Sequence, residues 1–279
     1  MPMSKVLNGT ALAAKVKADL KQRVAKLATP PGLATVLVGD DHASHTYVAG
    51  KHRDCAEVGI ASIQIVLPAT ASEAQIIAEV EKLNSNQACT GMIVQLPLPS
   101  AVNVGNVLSA IDPTKDADGL HPINLGNLVL GIDAPLPCTP RGIVYLLSQN
   151  GIELAGKKVV VIGRGTTVGR PLGLLLTRKT ENATVVLCHT GTKDISEYTK
   201  SADIVIAAAG NPGMVDADWI SSNSILIDVG ISRSDSGLVG DISAAAISKS
   251  AWHAPVPGGV GPMTRAMLLL NVVEAAERR

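Results

Sequence analysis

Hydrophobic positions along this chain change period repeatedly, from helical three-to-four-residue spacing to short unbroken runs, and the changes mark out alternating helices and strands. In the first half, Thr10–Leu27 has helical periodicity and ends before Pro30-Pro31-Gly32. Ala34–Val38 reads as a strand, and Ala43–Val58 as a helix closed by Gly59. Ser62–Leu67 is a second strand. Ser72-x-x-Gln75 has the form of a capping box, each side chain serving the other's backbone N–H, and opens a helix to about Leu83. Met92–Gln95 is a third strand. In the second half, Thr139-Pro140 starts a helix that stops at Asn150-Gly151. Strand-like runs recur at Val159–Ile162, Thr184–Leu187, Ile204–Ala207 and Ile225–Val229, and Thr264–Glu277 reads as an amphipathic helix. This rhythm predicts an α/β chain of two domains, residues 1–138 and 139–261, with the last helix, 262–279, returning to the first.

The most informative stretch is Val159–Leu176. Four consecutive β-branched residues, Val159–Ile162, predict a strand buried on both faces of a parallel sheet. Gly163, Gly165 and Gly169 follow, then Pro171 and the apolar Leu174–Leu176. A strand that passes through a glycine-rich turn into a helix points backbone N–H groups at an anion, with the helix dipole behind them. The spacing G-x-G-x-x-x-G is one residue longer than the dinucleotide fingerprint, and a tight strand–helix turn with no ligand is the alternative reading of it. At the end of the next strand an NAD site places an acid on the ribose hydroxyls. This chain has Cys188-His189-Thr190 there, and Arg164 inside the turn. A cation and a hydroxyl in place of the acid suit a 2′-phosphate, hence NADP. Gly210-Asn211-Pro212 and Gly230 fall at further strand ends, where ligands of open parallel sheets gather. Residues 139–261 therefore read as a Rossmann-type domain.

Composition narrows the class. Hydrophobic residues make up 46% of 279, ample for a sizeable core, but aromatics are 2% and Phe is absent, so aliphatic side chains must fill it. Twenty-four basic residues balance 24 acidic ones, which argues against nucleic acid as a partner. The N-terminus has no signal-peptide apolar core and no run is long enough to span a bilayer, so a cytoplasmic protein with no membrane partner is expected. Cys55, Cys89, Cys138 and Cys188 are scattered, as buried thiols of a reducing compartment would be. His42, His45 and His52 lack the spacing and the acidic or thiol partner of a zinc site, and no metal is expected.

Three places in the first half could carry chemistry. Ser44, Tyr47 and Lys51 fall at i, i+3 and i+7 on one helix face, which a solvated face would also explain. Gln95 ends an apolar strand before Leu96-Pro97-Leu98-Pro99, at a position used either for function or for a turn. Asp116-Ala117-Asp118-Gly119, preceded by Lys115, is acidic beside glycine, which is often only a turn.

Taken as a set, G-D-x-x-x-S-x-x-Y-x-x-x-K, V-Q-L-P-L-P, K-D-x-D-G-L-H-P-x-N, P-C-T-P, the G-R-G-x-x-V-G-x-P turn, C-H-T, D-V-G-I and P-V-P-G-G-V-G-P-M-T strongly resemble one family. It is the bifunctional methylenetetrahydrofolate dehydrogenase/methenyltetrahydrofolate cyclohydrolase family, matched in the same order from about Val38 to the C-terminus. One departure is Gly165, where many members have Ser. The resemblance implies two α/β domains flanking a folate cleft. Lys51 would be the central catalytic group, Gln95 its hydrogen-bond partner and Tyr47 the ring against the aminobenzoyl part. Asp118 would accept hydrogen bonds from the pterin. Leu96 and the Pro257-Gly258-Gly259-Val260 loop would touch the folate, and Gly163, Arg164, Gly165, Thr190 and Ile231 would line the NADP site. A cytoplasmic homodimer acting on tetrahydrofolate derivatives, in one-carbon metabolism and purine biosynthesis, is implied with them.

The residue types suit that chemistry. Hydride leaves the methylene carbon between two folate nitrogens, a step that needs ring alignment more than a proton acceptor. Water then attacks the methenyl carbon and the adduct opens to 10-formyltetrahydrofolate, which needs an acid–base group. An ordinary lysine is too firmly protonated to act as a base, and the nearby methenyl cation and partial burial both disfavour its charge. Lys51 is therefore expected to serve hydrolysis first. The alternatives are a member with dehydrogenase activity only, a shikimate-dehydrogenase-like NADP oxidoreductase and a non-catalytic NADP-binding regulator. The Tyr47/Lys51 spacing and the Gln95 segment weigh against the second, and intact Lys51, Gln95 and Asp118 against the third.

Overall fold

A computed structural model describes residues 4–234 and 237–279. In chain order the elements are β1 (Lys5–Val6), α1 (Gly9–Val24), β2 (Gly32–Val38), α2 (His42–Val58), β3 (Ala61–Leu67), α3 (Glu73–Ser85), β4 (Gly91–Val94), α4 (Val104–Ser109), α5 (Pro122–Leu130) and α6 (Cys138–Gln149). There follow β5 (Lys158–Ile162), α7 (Gly169–Leu176), β6 (Thr184–Cys188), α8 (Ile195–Thr199), β7 (Ile204–Ala207), β8 (Ile225–Asp228), β9 (Ser232–Ser234), β10 (Gly237–Val239), α9 (Ala244–Lys249), β11 (Trp252–Ala254) and α10 (Val260–Glu277). The chain divides into two α/β units, one of Met1–Ala13 with Thr139–Thr264 and one of Ala14–Cys138 with Arg265–Arg279.

The first unit is built on a parallel six-stranded sheet in the order β1-β11-β8-β7-β5-β6. Among its interior strands are β5 and β7, where Val159–Val161 and Ile204–Ala207 are wholly buried, as unbroken apolar runs require in a parallel sheet covered on both faces. The chain goes from β5 through α7 to β6 on one side, then returns to β7 on the other side of β5. That reversal opens a crevice at the carboxyl ends of the strands. Placing residues 1–138 together missed β1: Lys5 and Val6 pair with Trp252 and His253, so the first residues join this sheet. A two-residue strand has no period to read.

The second unit holds a parallel three-stranded sheet, β3-β2-β4. Every residue of β2 is buried, and Val36, Ile76, Val80, Met92 and Val107 are among its core. Local signals set the helix limits. Asp41 caps α2 by accepting the Ser44 N–H, and Gly59, at φ 91°, ends it in the left-handed conformation that costs glycine least. The capping box forms as read: Ser72 N donates to Gln75 Oε1 at 2.8 Å and Gln75 N to Ser72 Oγ at 3.3 Å. The amphipathic reading of the last helix fails. In α10, Ala266–Leu269 and Asn271–Val273 are all buried, so the helix is covered round its circumference and not on one stripe. It also begins earlier than expected, at Val260, with Pro262 in its first turn.

Candidate active site

In the three-stranded unit, α2 carries Lys51 and β4 delivers Gln95 just past its carboxyl end. The Gln95 N–H donates to the Val36 carbonyl at 2.9 Å, which extends the β2–β4 pairing by one residue. Its side-chain Nε2 donates to the Leu96 carbonyl at 2.8 Å, which turns Oε1 towards Lys51, and Lys51 Nζ donates to that oxygen at 3.0 Å. Lys51 and Gln95 are both partly buried, and Tyr47, one turn earlier, is 40% exposed. Ser44 does not join them; it is buried and its hydroxyl donates to Asp41 Oδ2 at 2.7 Å, as part of the helix cap. His52 lies 3.2 Å from the buried Thr35 hydroxyl, and burial, then the Lys51 charge, hold it below the usual histidine range.

Asp118 is presented by a clasp of its neighbours. Asp116 accepts the N–H groups of Gly119 at 3.0 Å and His121 at 2.8 Å and the Asn124 amide at 2.9 Å. Burial pushes the Asp116 carboxyl up, against the pull of these donors. His121 Nδ1 accepts the Ile123 N–H at 3.1 Å and caps α5. Asp116 bridges to Met92 of β4, so the turn lies against the strand that delivers Gln95. Asn271 of α10 donates to the carbonyl of Ala117, within that turn, at 2.8 Å and to that of Leu136 at 2.9 Å. Among the described residues the Asp118 carboxylate takes no hydrogen bond or ion pair, which leaves it available to a ligand. The clasp and Asn271 were missed in the sequence. One signal was there, since a single Asn within the apolar run Met267–Val273 must find partners when buried.

In the six-stranded unit, the glycine turn is fixed by close backbone approach. Gly163 has φ 111°, and a Cβ there would lie 2.2 Å from the Ala208 carbonyl oxygen; one at Gly169 would lie 1.9 Å from the Gly163 oxygen. No side chain caps the N-terminus of α7, so that end of the helix is left for an anion. Gly163, Arg164, Gly165 and Thr190 come together on a cavity of about 430 Å³ at the carboxyl ends of β5, β6 and β7. His189, which the sequence reading passed over, lines it too, its ring set by the Gly191 N–H donating to Nδ1 at 3.0 Å. With the helix end, an exposed Arg164 and the Thr190 hydroxyl on one cavity, these residues fit a phosphorylated dinucleotide. Ile231 is 44% exposed just past β8 and is not among the residues lining that cavity. Pro257-Gly258-Gly259-Val260 also belongs to this unit, with the Gly258 carbonyl accepting the Thr10 N–H at 2.9 Å, whereas Lys51, Gln95, Leu96 and Asp118 belong to the other.

All four cysteines are buried, and burial pushes the Cys55 thiol up to about 11. Among the described residues no three His, Cys, Asp or Glu side chains group as metal ligands would; the His42 side chain lies outside them. No described helix is long and apolar enough to cross a membrane.

Comparison with known proteins places these features. Residues 7–118 match the catalytic domain of the tetrahydrofolate dehydrogenase/cyclohydrolase family, and residues 137–279 match its NAD(P)-binding domain. The chain is similar to the bifunctional methylenetetrahydrofolate dehydrogenase/cyclohydrolase of Campylobacter jejuni, with 43% identity, TM-score 0.96 and 99% of each chain covered. It is also similar to the Trypanosoma brucei dehydrogenase-cyclohydrolase solved with NADP cofactor and an inhibitor, with 38% identity, TM-score 0.94 and coverage of 100% and 99%. The Aquifex aeolicus shikimate dehydrogenase shares the fold alone, at 12% identity and TM-score 0.55 over 89% of this chain and 97% of its own.

Proposed function

We propose, since the chain belongs to the tetrahydrofolate dehydrogenase/cyclohydrolase family, that it oxidises 5,10-methylenetetrahydrofolate with NADP and then hydrolyses the methenyl product to 10-formyltetrahydrofolate. The observation that carries this reading is the Lys51–Gln95 hydrogen bond of 3.0 Å at the carboxyl end of a parallel strand. A lysine held by a neutral amide oxygen is oriented without being neutralised by a carboxylate.

Asp118 accepts the pterin's amino and ring N–H groups, a charge-assisted pairing that fixes the ring. Tyr47 lies against the aminobenzoyl ring, and Leu96 and the Pro257–Val260 loop contact the folate. Arg164 and Thr190 would hold the 2′-phosphate of NADP, Gly163 and Gly165 would line its path and Ile231 would contact it; the bound cofactor would supply the hydride acceptor. Lys51 then takes a proton from the attacking water and returns one to the leaving ring nitrogen, with Gln95 holding the amine in line. The enzyme acts as a homodimer in the cytoplasm, where four buried thiols fit a reducing compartment. Its product supplies formyl-transfer reactions such as those of purine biosynthesis.

The test is a spectrophotometric assay with 5,10-methylenetetrahydrofolate and either NADP or NAD, following reduced cofactor together with methenyl folate. Reduction of NADP with little methenyl accumulating is the expected result. Accumulating methenyl folate would reduce the activity to that of a dehydrogenase alone, and no reduction with either cofactor would overturn the assignment.

A further inference from the structure

Asp241 stands between β10 and α9 and is wholly buried. Its Oδ2 accepts the N–H groups of Ala209 at 2.7 Å and Gly210 at 2.9 Å, in the turn after β7. Its Oδ1 is buried with no hydrogen-bond partner among the described residues and faces the turn after β8, where a Cβ at Gly230 would lie 2.1 Å away. Asp228, the last residue of β8, answers from the other direction. Its two oxygens accept the N–H groups of Asp241 at 2.9 Å and Ile242 at 3.1 Å, and a Cβ at Gly240 would come within 2.0 Å of it. Each carboxylate thus closes on a glycine beside the other. The arrangement is costly, and burial, with the Asp241 charge adding to it, pushes the Asp228 carboxyl up to about 6.

Two turns are held by this lock. Ala208, Ala209 and Asn211 of the first line the cavity that holds Arg164 and Thr190, and Gly163 rests against the Ala208 carbonyl. The second, Val229–Ile231, leaves the adjacent strand at the same end of the sheet. A dinucleotide lies across the carboxyl ends of an open parallel sheet, with its halves on either side of the glycine turn. Arg164 and Thr190 mark the β5–β6 side for the 2′-phosphate half, and the strand order puts β7 and β8 on the opposite side of β5.

We propose that Asp241, braced by Asp228, is a positioning residue for the nicotinamide half of the cofactor, shaping the two turns beneath it without touching it. This rests on the NADP reading above. The test is isothermal titration of the full chain with NADP and with adenosine 2′,5′-bisphosphate, which carries the 2′-phosphate end but no nicotinamide. Asp241→Ala strips the buried acceptor from the Ala209 and Gly210 N–H groups, and the ratio of the NADP Kd to the bisphosphate Kd is expected to rise about tenfold. Asp241→Asn keeps one acceptor oxygen and should raise the same ratio about threefold, so it decides the matter if the alanine variant fails to fold. An unchanged ratio in a folded variant, including one that weakens both ligands equally, overturns the proposal. Failure of the unsubstituted protein to bind NADP would overturn the cofactor reading, and this proposal with it.

Discussion

The glycine turn of the six-stranded unit and the Lys115–Asn124 segment of the three-stranded unit each prepare a place for a polar ligand, and they do so by opposite means. Between Gly163 and Gly169 the shape comes from side chains that are missing: backbone sits on backbone at separations a Cβ would fill. Between Lys115 and Asn124 it comes from side chains that reach far. Lys115 is buried and its Nζ donates to the carbonyls of Leu83, Asn84 and Asn86 at 3.0, 2.6 and 2.9 Å, closing the end of α3, while Asp116 gathers Gly119, His121 and Asn124. One design is local and the other spans about thirty residues, so substitutions should damage them differently: by steric intrusion in the first, by orphaned polar groups in the second.

The contrast breaks first if the side chains of the three-stranded unit prove dispensable. Lys51→Met keeps the length and removes the amine, and should lower cyclohydrolase kcat by about 10²–10⁴-fold, the usual worth of a positioned acid–base group. Dehydrogenase activity should fall less; a variant that hydrolyses methenyl folate at the normal rate would remove Lys51 from the mechanism. Next is Gly163→Ala. At φ 111° and 2.2 Å from a backbone oxygen the new methyl has nowhere to go, so the turn must move. The expected loss is about 3 kcal/mol of stability, read by urea unfolding, together with weakened NADP binding. Lys115→Met follows. It leaves three carbonyls without their common donor and should cost about 2 kcal/mol in the same experiment, with no steric component and with folate binding weakened more than NADP binding.

That difference also decides what could be read from the chain alone. The three strands of the smaller sheet and four of the six in the larger, the capping box and the end of α2 at Gly59 were legible because each is written within a window of a few residues. The glycine turn was legible for the same reason, as was the pairing of Lys51 with Gln95 once the resemblance supplied it. Asp116 was not: beside Asp118 in a turn-like tetrapeptide, nothing local tells which carboxylate is buried and which is offered to a ligand. Asn271 and Asp241 act on segments far away in sequence, and β1 is too short to show a period. The amphipathic reading of α10 failed because Glu274, Glu277 and the two arginines after them suggested a polar face, whereas the middle of the helix is covered all round. Periodicity reports on neighbours along the chain, and these features depend on neighbours in space.

The smallest effect gives the sharpest version of the comparison, because it adds a side chain to the turn that works by lacking them. Gly165 differs from Gly163 and Gly169: a Cβ there meets nothing within 4 Å, and its φ is not in the left-handed region. It therefore does not need to be glycine for the fold, and it lines the cavity beside Arg164 and Thr190. Gly165→Ser should leave stability unchanged or raise it by about 0.5 kcal/mol, since the unfolded chain loses freedom that the native turn does not use. The added hydroxyl offers one more donor to a 2′-phosphate, so the NADP Kd should fall about threefold while the NAD Kd stays put. Titration with both cofactors reads this directly. If the NADP Kd rises, the open space at Gly165 is itself part of the site, occupied by the ligand, and the rule that absent side chains shape this turn extends from its walls to its interior.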